Sequence, residues 1–241
     1  MSALRRLHVP ADAWVGDVAR CEGEVARRIL AVWRLRSGDE LRVFDGTGRE
    51  WTARVEGSGR GWASLSRGGP VTPLPEPGIA VTLVCAFPRG QRGDWIVEKA
   101  TELGVARIVP IAAGRSVLDP GDGRLERWRR IAVEAAEQSG RAVVPEIGGE
   151  PPSEARGLVA QPDAPLGMRE ALRAAVPNVR SLAVWVGPEG GWSEEERAAF
   201  SRDGLIEVSL GRRTLRVETA AVVAVAEAIA MAEGPPPGVT A

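Results

Sequence analysis

The sequence predicts a small β-barrel domain followed by an α/β domain with a mostly parallel sheet covered on both faces. Three observations lead there. From Ile79 onward, apolar runs of strand length alternate with stretches of helical period, the pattern of successive βαβ units. Before Pro70 the chain reads as short strands and glycine turns with a single helical stretch. Between the two, Pro70, Pro73, Pro75 and Pro77 crowd together, a spacing that neither a helix nor a central strand tolerates. The expected boundaries are residues 1–70 for the barrel, 71–78 for a proline-rich linker and 79–233 for the α/β domain. Residues 234–241, with Gly234-Pro235-Pro236-Pro237-Gly238, are expected to be a disordered tail.

The elements follow in order. In the first domain Glu22 to Trp33 has helical spacing, with Val25, Ile29 and Val32 on one face. Leu41 to Phe44 and Glu50 to Val55 form a hairpin across the turn Asp45-Gly46-Thr47-Gly48, and Gly61 to Ser66 supplies a further strand. The second domain opens with an apolar strand, Ile79 to Phe87, then a helix from Asp94 to Leu103 that Gly104 stops. A strand at Arg107 to Ile111 precedes a long helix, Asp122 to Ser139, with Leu125, Trp128, Ala132 and Ala135 inward and Gly140 at its end. Short strands at Val143 to Ile147 and Gly157 to Ala160 lead to a helix at Met168 to Val176. Ser181 to Gly187 is a strand, and Ser193 with Glu196 forms a capping box for a helix ending at Phe200. Leu205 to Leu210 is the last strand and Thr219 to Ala232 the last helix.

Composition excludes more than it assigns. The formal charge is −1, so no global basic field announces a nucleic acid. Residues 1–70 hold twelve arginines against nine acidic side chains, a net of +3 that a solvated surface explains as readily as an RNA-binding one. No run approaches the length of a membrane span, and Met1 to Arg6 lacks the apolar segment of a signal peptide. Cys21 and Cys85 match no metal or redox spacing. The expectation is a reduced, cytoplasmic protein without a metal. His8 is the only histidine and Lys99 the only lysine. Neither a GxxxxGK[ST] phosphate loop nor a dinucleotide fingerprint is present. Chemistry must then come from positioning, backbone groups and arginine or carboxylate side chains, an inventory suited to transfer from an activated donor.

Two glycine-rich turns carry that chemistry. Val186-Gly187-Pro188-Glu189-Gly190-Gly191 and Leu210-Gly211-Arg212-Arg213-Thr214-Leu215-Arg216-Val217-Glu218-Thr219-Ala220 each follow an apolar strand and run into a helix. Backbone groups at the carboxyl edge of a sheet meet ligands in that layout. Three further motifs stand in fixed order with them: Lys99-Ala100-Thr101-Glu102-Leu103-Gly104-Val105, Arg115-Ser116-Val117, and Glu137-Gln138-Ser139-Gly140-Arg141 with Val144-Pro145. Together the five resemble the RsmE family of 16S ribosomal RNA uridine-N3 methyltransferases in the SPOUT superfamily. The resemblance spans nearly all of residues 79–232, and the β-rich start resembles that family's PUA-like domain.

The resemblance implies a SPOUT-type α/β trefoil-knot domain behind a PUA-like β-barrel, S-adenosyl-L-methionine as cofactor, and a homodimer acting on 16S ribosomal RNA or the small subunit. It places the cofactor against Gly187, Pro188, Gly190, Gly191, Leu210, Gly211 and Leu215. Arg216 and Glu218 are the candidate catalytic side chains. Arg216 would stabilise charge on the uracil oxygens, and Glu218 would act as base or hold Arg216. Arg141, Arg115, Arg89, Arg5 and Arg6 are the candidate RNA contacts. The chain departs from the family run at Arg212, Thr214 and Val217, which stand where proline, isoleucine and threonine are usual, and Arg89 takes a place often held by lysine. Gln161-Pro162-Asp163-Ala164 stands where an acidic stretch is common, leaving open which of its residues meets the cofactor. Two rival readings share the motifs: a catalytically silent knotted RNA-binding dimer, and a methyltransferase of another RNA such as transfer RNA.

Overall fold

The computed structural model describes residues 4–114, 121–152, 156–175 and 179–233. The chain divides into two units. One takes in the chain as far as Pro75 together with Ala136–Val144; the other takes Glu76–Ala135 and the chain from Pro145 onward. The expected tail at 234–241 lies outside the described residues.

The first unit is built on strands β1 (Arg6–His8), β2 (Trp14–Val15), β3 (Val18–Glu22), β4 (Glu40–Phe44), β5 (Glu50–Gly59) and β6 (Trp62–Val71), in the order β1-β4-β5-β6-β3-β2. All neighbours are antiparallel except β1 with β4. Alternation turns Leu41, Val43, Ala53, Val55, Ala63 and Leu65 onto one face, where they pack as a common core with Leu7 and Ile29. The expected hairpin forms, and Asp45 shapes its turn: the Thr47 N–H and hydroxyl donate to Oδ1 at 2.9 and 2.8 Å.

The expected helix at Glu22 to Trp33 changes period midway. Helix α1 (Gly23–Arg27) continues as a π-helical turn, Arg28–Val32, sealed by Trp33 N–H donating to Arg28 C=O at 2.8 Å. The wider turn carries Val32 off the apolar face, where it is exposed, and brings Leu30 and Trp33 against the core beside Val25 and Ile29.

The second unit holds the parallel sheet. Its strands are β7 (Ala80–Cys85), β8 (Arg107–Pro110), β9 (Glu146–Ile147), β10 (Arg156–Ala160), β11 (Ser181–Val186) and β12 (Ile206–Val208), in the order β12-β10-β11-β7-β8-β9. Every pairing is parallel. The helices are α2 (Gln91–Leu103), α3 (Asp122–Ser139), α4 (Met168–Ala175), α5 (Glu194–Arg202) and α6 (Val217–Glu233). Helix α2 starts a turn earlier than Asp94, and Gly104 ends it in the left-handed region at φ 105°. Trp128, Ala132 and Ala135 of α3 are buried as expected. The capping box of α5 forms in full: Glu196 N–H donates to Ser193 Oγ while Ser193 N–H donates to Glu196 Oε2.

The expected strand at Val143 to Ile147 is reduced to Glu146–Ile147. Val143 instead bridges to Gly46 and Thr47 in the first unit, to which residues 136–144 belong, and Pro145 separates the two pairings. No helix among the described residues is long and apolar enough to cross a membrane. None of their His, Cys, Asp and Glu side chains form a group of three that could hold a metal ion.

Candidate active site

Strands β10, β11 and β12 end side by side, and their carboxyl-end loops enclose a cavity of about 330 Å³. The first loop contributes Ala160, Gln161 and Pro162; the second runs from Val186 to Trp192; the third runs from Leu210 to Val217 and passes into α6. Such a volume suits a small organic ligand, and the carboxyl edge of a parallel sheet is where open α/β folds bind one.

Local chemistry shapes each loop. A Cβ on Gly187 would lie 2.8 Å from Cε2 of Trp192, so the glycine lets the indole fold back over the strand end. Trp192 meets Phe200 edge-on at 4.8 Å, in an apolar cluster with Ala86, Ala113 and Val159. Its Nε1 is buried without a hydrogen-bond partner among the described residues. Gly191 and Gly211 sit at φ 70° and 116°, which L side chains rarely adopt, and the space beyond each is open. Ser209 fixes the third loop, because its hydroxyl accepts from Gly211 N–H and donates to Gly211 C=O. Arg216 C=O accepts from Ala220 N–H and opens α6.

Six of the seven expected cofactor residues line the cavity: Gly187, Pro188, Gly191, Leu210, Gly211 and Leu215. Gly190 sits in the same turn without lining it. Of the 161–164 segment, Gln161 and Pro162 reach the cavity, while Asp163 faces Arg197 at 3.6 Å. Trp192 and Arg213 also line it; sequence reasoning missed both. The tryptophan was hidden because its contact with Gly187 exists only once the loop closes.

Arg216 lines the cavity with an exposed side chain that has no ion pair or hydrogen bond among the described residues. Glu218 does not line the cavity. Its carboxylate is largely buried, and Oε2 faces Arg92 Nη1 at 3.8 Å. Arg92, near the start of α2, also pairs with Glu189 of the second loop at 2.5 Å. The expectation that Glu218 holds Arg216 is therefore not met, since Arg92 is its cation. No local motif marked Arg92.

The remaining predicted residues separate widely. Arg115 lies outside the described residues, though Gly114 N–H just before it donates to Glu196 Oε1 at 2.8 Å. Arg89 is exposed in the loop between β7 and α2. Arg5 is exposed beside β1, and Arg141 is buried in the first unit. Arg6 is corrected from RNA contact to structural clasp. Its Nε and Nη2 donate to Glu50, Nη1 to the carbonyls of Ala136 and Glu137, and Nη2 also to Arg141 C=O. All five N–H groups are thus spent internally. Lys99 pairs with Glu98 and Glu102 on α2. Burial pushes the Cys21 thiol up to about 11 and the Cys85 thiol higher still, so neither offers a thiolate at neutral pH.

Fold and site together are those of an RNA methyltransferase: residues 75–229 match the RNA methyltransferase domain and residues 23–62 the RNA methyltransferase PUA domain. Within that class, the chain belongs to the ribosomal RNA small subunit methyltransferase E family. It is 35% identical to the curated Synechocystis member over 84% of this chain and 69% of that protein. The Mycobacterium bovis member is also 35% identical, over 87% of this chain and 85% of its own length. The crystal structure of the Neisseria gonorrhoeae protein bound to S-adenosyl methionine is 31% identical with a TM-score of 0.79, covering 92% of this chain and 95% of the other. The fold is accordingly SPOUT-type with a PUA-like N-terminal part. S-adenosylmethionine is the cofactor, and the cavity suits it: apolar walls for the adenine, glycine turns offering backbone groups, and an indole N–H still wanting an acceptor.

Proposed function

We propose that this chain is an S-adenosylmethionine-dependent methyltransferase that modifies N3 of a uridine in 16S ribosomal RNA, works in the cytoplasm and acts as a homodimer. One observation carries the reading. Both glycine turns that resemble the family converge, with Gln161, on a single cavity at the carboxyl ends of β10, β11 and β12.

Bound S-adenosylmethionine supplies an activated methyl group. The chain's own residues do the rest. The three loops hold the cofactor through backbone groups and keep its surroundings dry, with Trp192 and Leu215 as apolar walls. Uridine N3–H must lose its proton, and the anion spreads onto O2 and O4. Arg216, unpaired at the cavity edge, meets that developing charge. Glu218 acts through Arg92, which ties the start of α2 to Glu189 on the cavity wall. Glu218 is a positioning residue in this reading, and the departing proton passes to water. Since pairing hides N3, the target base is presented unpaired. Arg5 and Arg89, both exposed, and Arg115 from a shared motif are proposed RNA contacts; Arg141 is buried and is not among them.

Methyl transfer from labelled cofactor to purified small-subunit RNA, followed by nucleoside analysis, tests the reading. N3-methyluridine is the expected product; a methylated transfer RNA in its place would redirect it.

A further inference from the structure

In the first unit Arg67 lies between two tryptophans. Ala63, Leu65 and Arg67 follow one another on the inward face of β6, and the arginine comes where the apolar packing runs out. Its guanidinium carbon is 4.2 Å from the ring centre of Trp14 on β2 and 4.3 Å from that of Trp51 on β5. Its backbone is held too, by Arg67 N–H donating to Asp17 C=O at 2.7 Å. Yet the guanidinium makes no hydrogen bond or ion pair among the described residues, and Nε is buried without an acceptor. Two other half-buried arginines of this unit are satisfied: Arg6 has every donor bonded, and Arg28 pairs with Glu137 at 2.6 Å. Arg49, which also lies over Trp51, is paired with Asp45.

A cation fixed in this way has a specific want. Two indole rings, each within 4.3 Å of the guanidinium carbon, hold the group in place, so an acceptor must come to whichever N–H groups they leave open. Nε is shut off, which leaves the terminal pair Nη1 and Nη2 as the open edge. Two parallel N–H groups on that edge match two oxygens of one phosphate. Holding a partly desolvated cation without an acceptor is unfavourable, and a bound anion removes that penalty.

We propose that Arg67, clamped by Trp14 and Trp51, grips a backbone phosphate of the RNA substrate. The proposal rests on the RNA-directed function above but not on any residue of the cofactor cavity. The full-length protein is titrated with a single-stranded RNA oligonucleotide of mixed sequence over a series of salt concentrations. Arg67→Met keeps a long side chain between the indoles and removes the charge. It should weaken binding roughly three- to tenfold and reduce the slope of log affinity against log salt by about one phosphate contact. KM for RNA should rise while kcat at saturation and S-adenosylhomocysteine affinity stay at wild-type values.

A folded Arg67→Met with unchanged affinity and slope would overturn the proposal and leave Arg67 as a packing plug. Should that variant not fold, the indole N–H resonances of Trp14 and Trp51 in the wild-type protein decide: both shift on RNA addition, or the proposal fails. Stabilisation by inorganic phosphate that depends on Arg67, with RNA affinity unchanged in Arg67→Met, would mark a free-anion site and also overturn it. A wild-type protein that binds no RNA would overturn the proposed function itself.

Discussion

A methyl group placed on Gly187 would meet Trp192 at 2.8 Å, with two more ring atoms within 3.1 Å. Gly187→Ala should therefore push the indole out of its cluster, lower stability by about 1–3 kcal/mol and weaken S-adenosylhomocysteine binding at least tenfold by calorimetry. Arg216 makes the opposite prediction, because its exposed side chain makes no hydrogen bond or ion pair among the described residues. Arg216→Ala should keep Tm and cofactor affinity while kcat falls by a factor of about 10² or more; full turnover on ribosomal RNA would remove Arg216 from the reaction. Residue by residue, legibility in the sequence varied with the range of the contacts involved. Gly191 and Gly211 stood out because positive φ is a local demand that glycine answers. Arg6 was illegible as a clasp because its acceptors, Glu50 and the carbonyls of residues 136, 137 and 141, lie 44 or more positions away.

Among the elements, the last turn of α3 shows how buried charge organises the first unit. Glu137 accepts from His8 N–H at 2.8 Å and pairs with Arg28 at 2.6 Å. Removing it strands both partners. Glu137→Ala should cost on the order of 2–3 kcal/mol, at the lower end for a buried pair because Arg28 keeps some exposure, read as a fall in Tm. The β4–β5 turn adds a pH dependence. Burial works against the charge on Asp45, but hydrogen bonds from Thr47 and Arg49 outweigh it and hold its pKa below the ordinary 3.8. A lowered folded-state pKa contributes stability above the unfolded value that is lost as pH falls through the folded one. Acid unfolding should therefore steepen below about pH 4, and Asp45→Asn should flatten that limb of the profile. Most strand and helix identities were legible because the 2.0 and 3.6 periods are local, whereas β1, β2 and β3, of two to five residues each, are too short to show a period. The π-helical turn was not, since Trp33 N–H reaching back to Arg28 leaves no mark in the spacing of Val25, Ile29 and Val32.

Across the whole molecule, the strand–helix alternation made the parallel sheet legible, whereas the strand order did not follow from it. Placing β10, β11 and β12 side by side requires the chain to leave the sheet edge at β9 and return on the far side of β7, a step no window of sequence records. That crossing brings three loops, separated by about 25 residues each along the chain, around one cavity. A true cofactor site then predicts linkage. S-adenosylhomocysteine at a hundredfold excess over its Kd should stabilise the second unit by about 2.7 kcal/mol, seen as a rise in Tm that Gly187→Ala diminishes.

The central claim, methylation of uridine N3 in small-subunit ribosomal RNA, is tested most directly by mapping N3-methyluridine in RNA from cells with and without this gene. The account predicts one such nucleotide in the small-subunit RNA of the parent strain, absent from the deletion strain and restored by the wild-type chain but not by Arg216→Ala. An unchanged modification pattern in that RNA after deletion would contradict it.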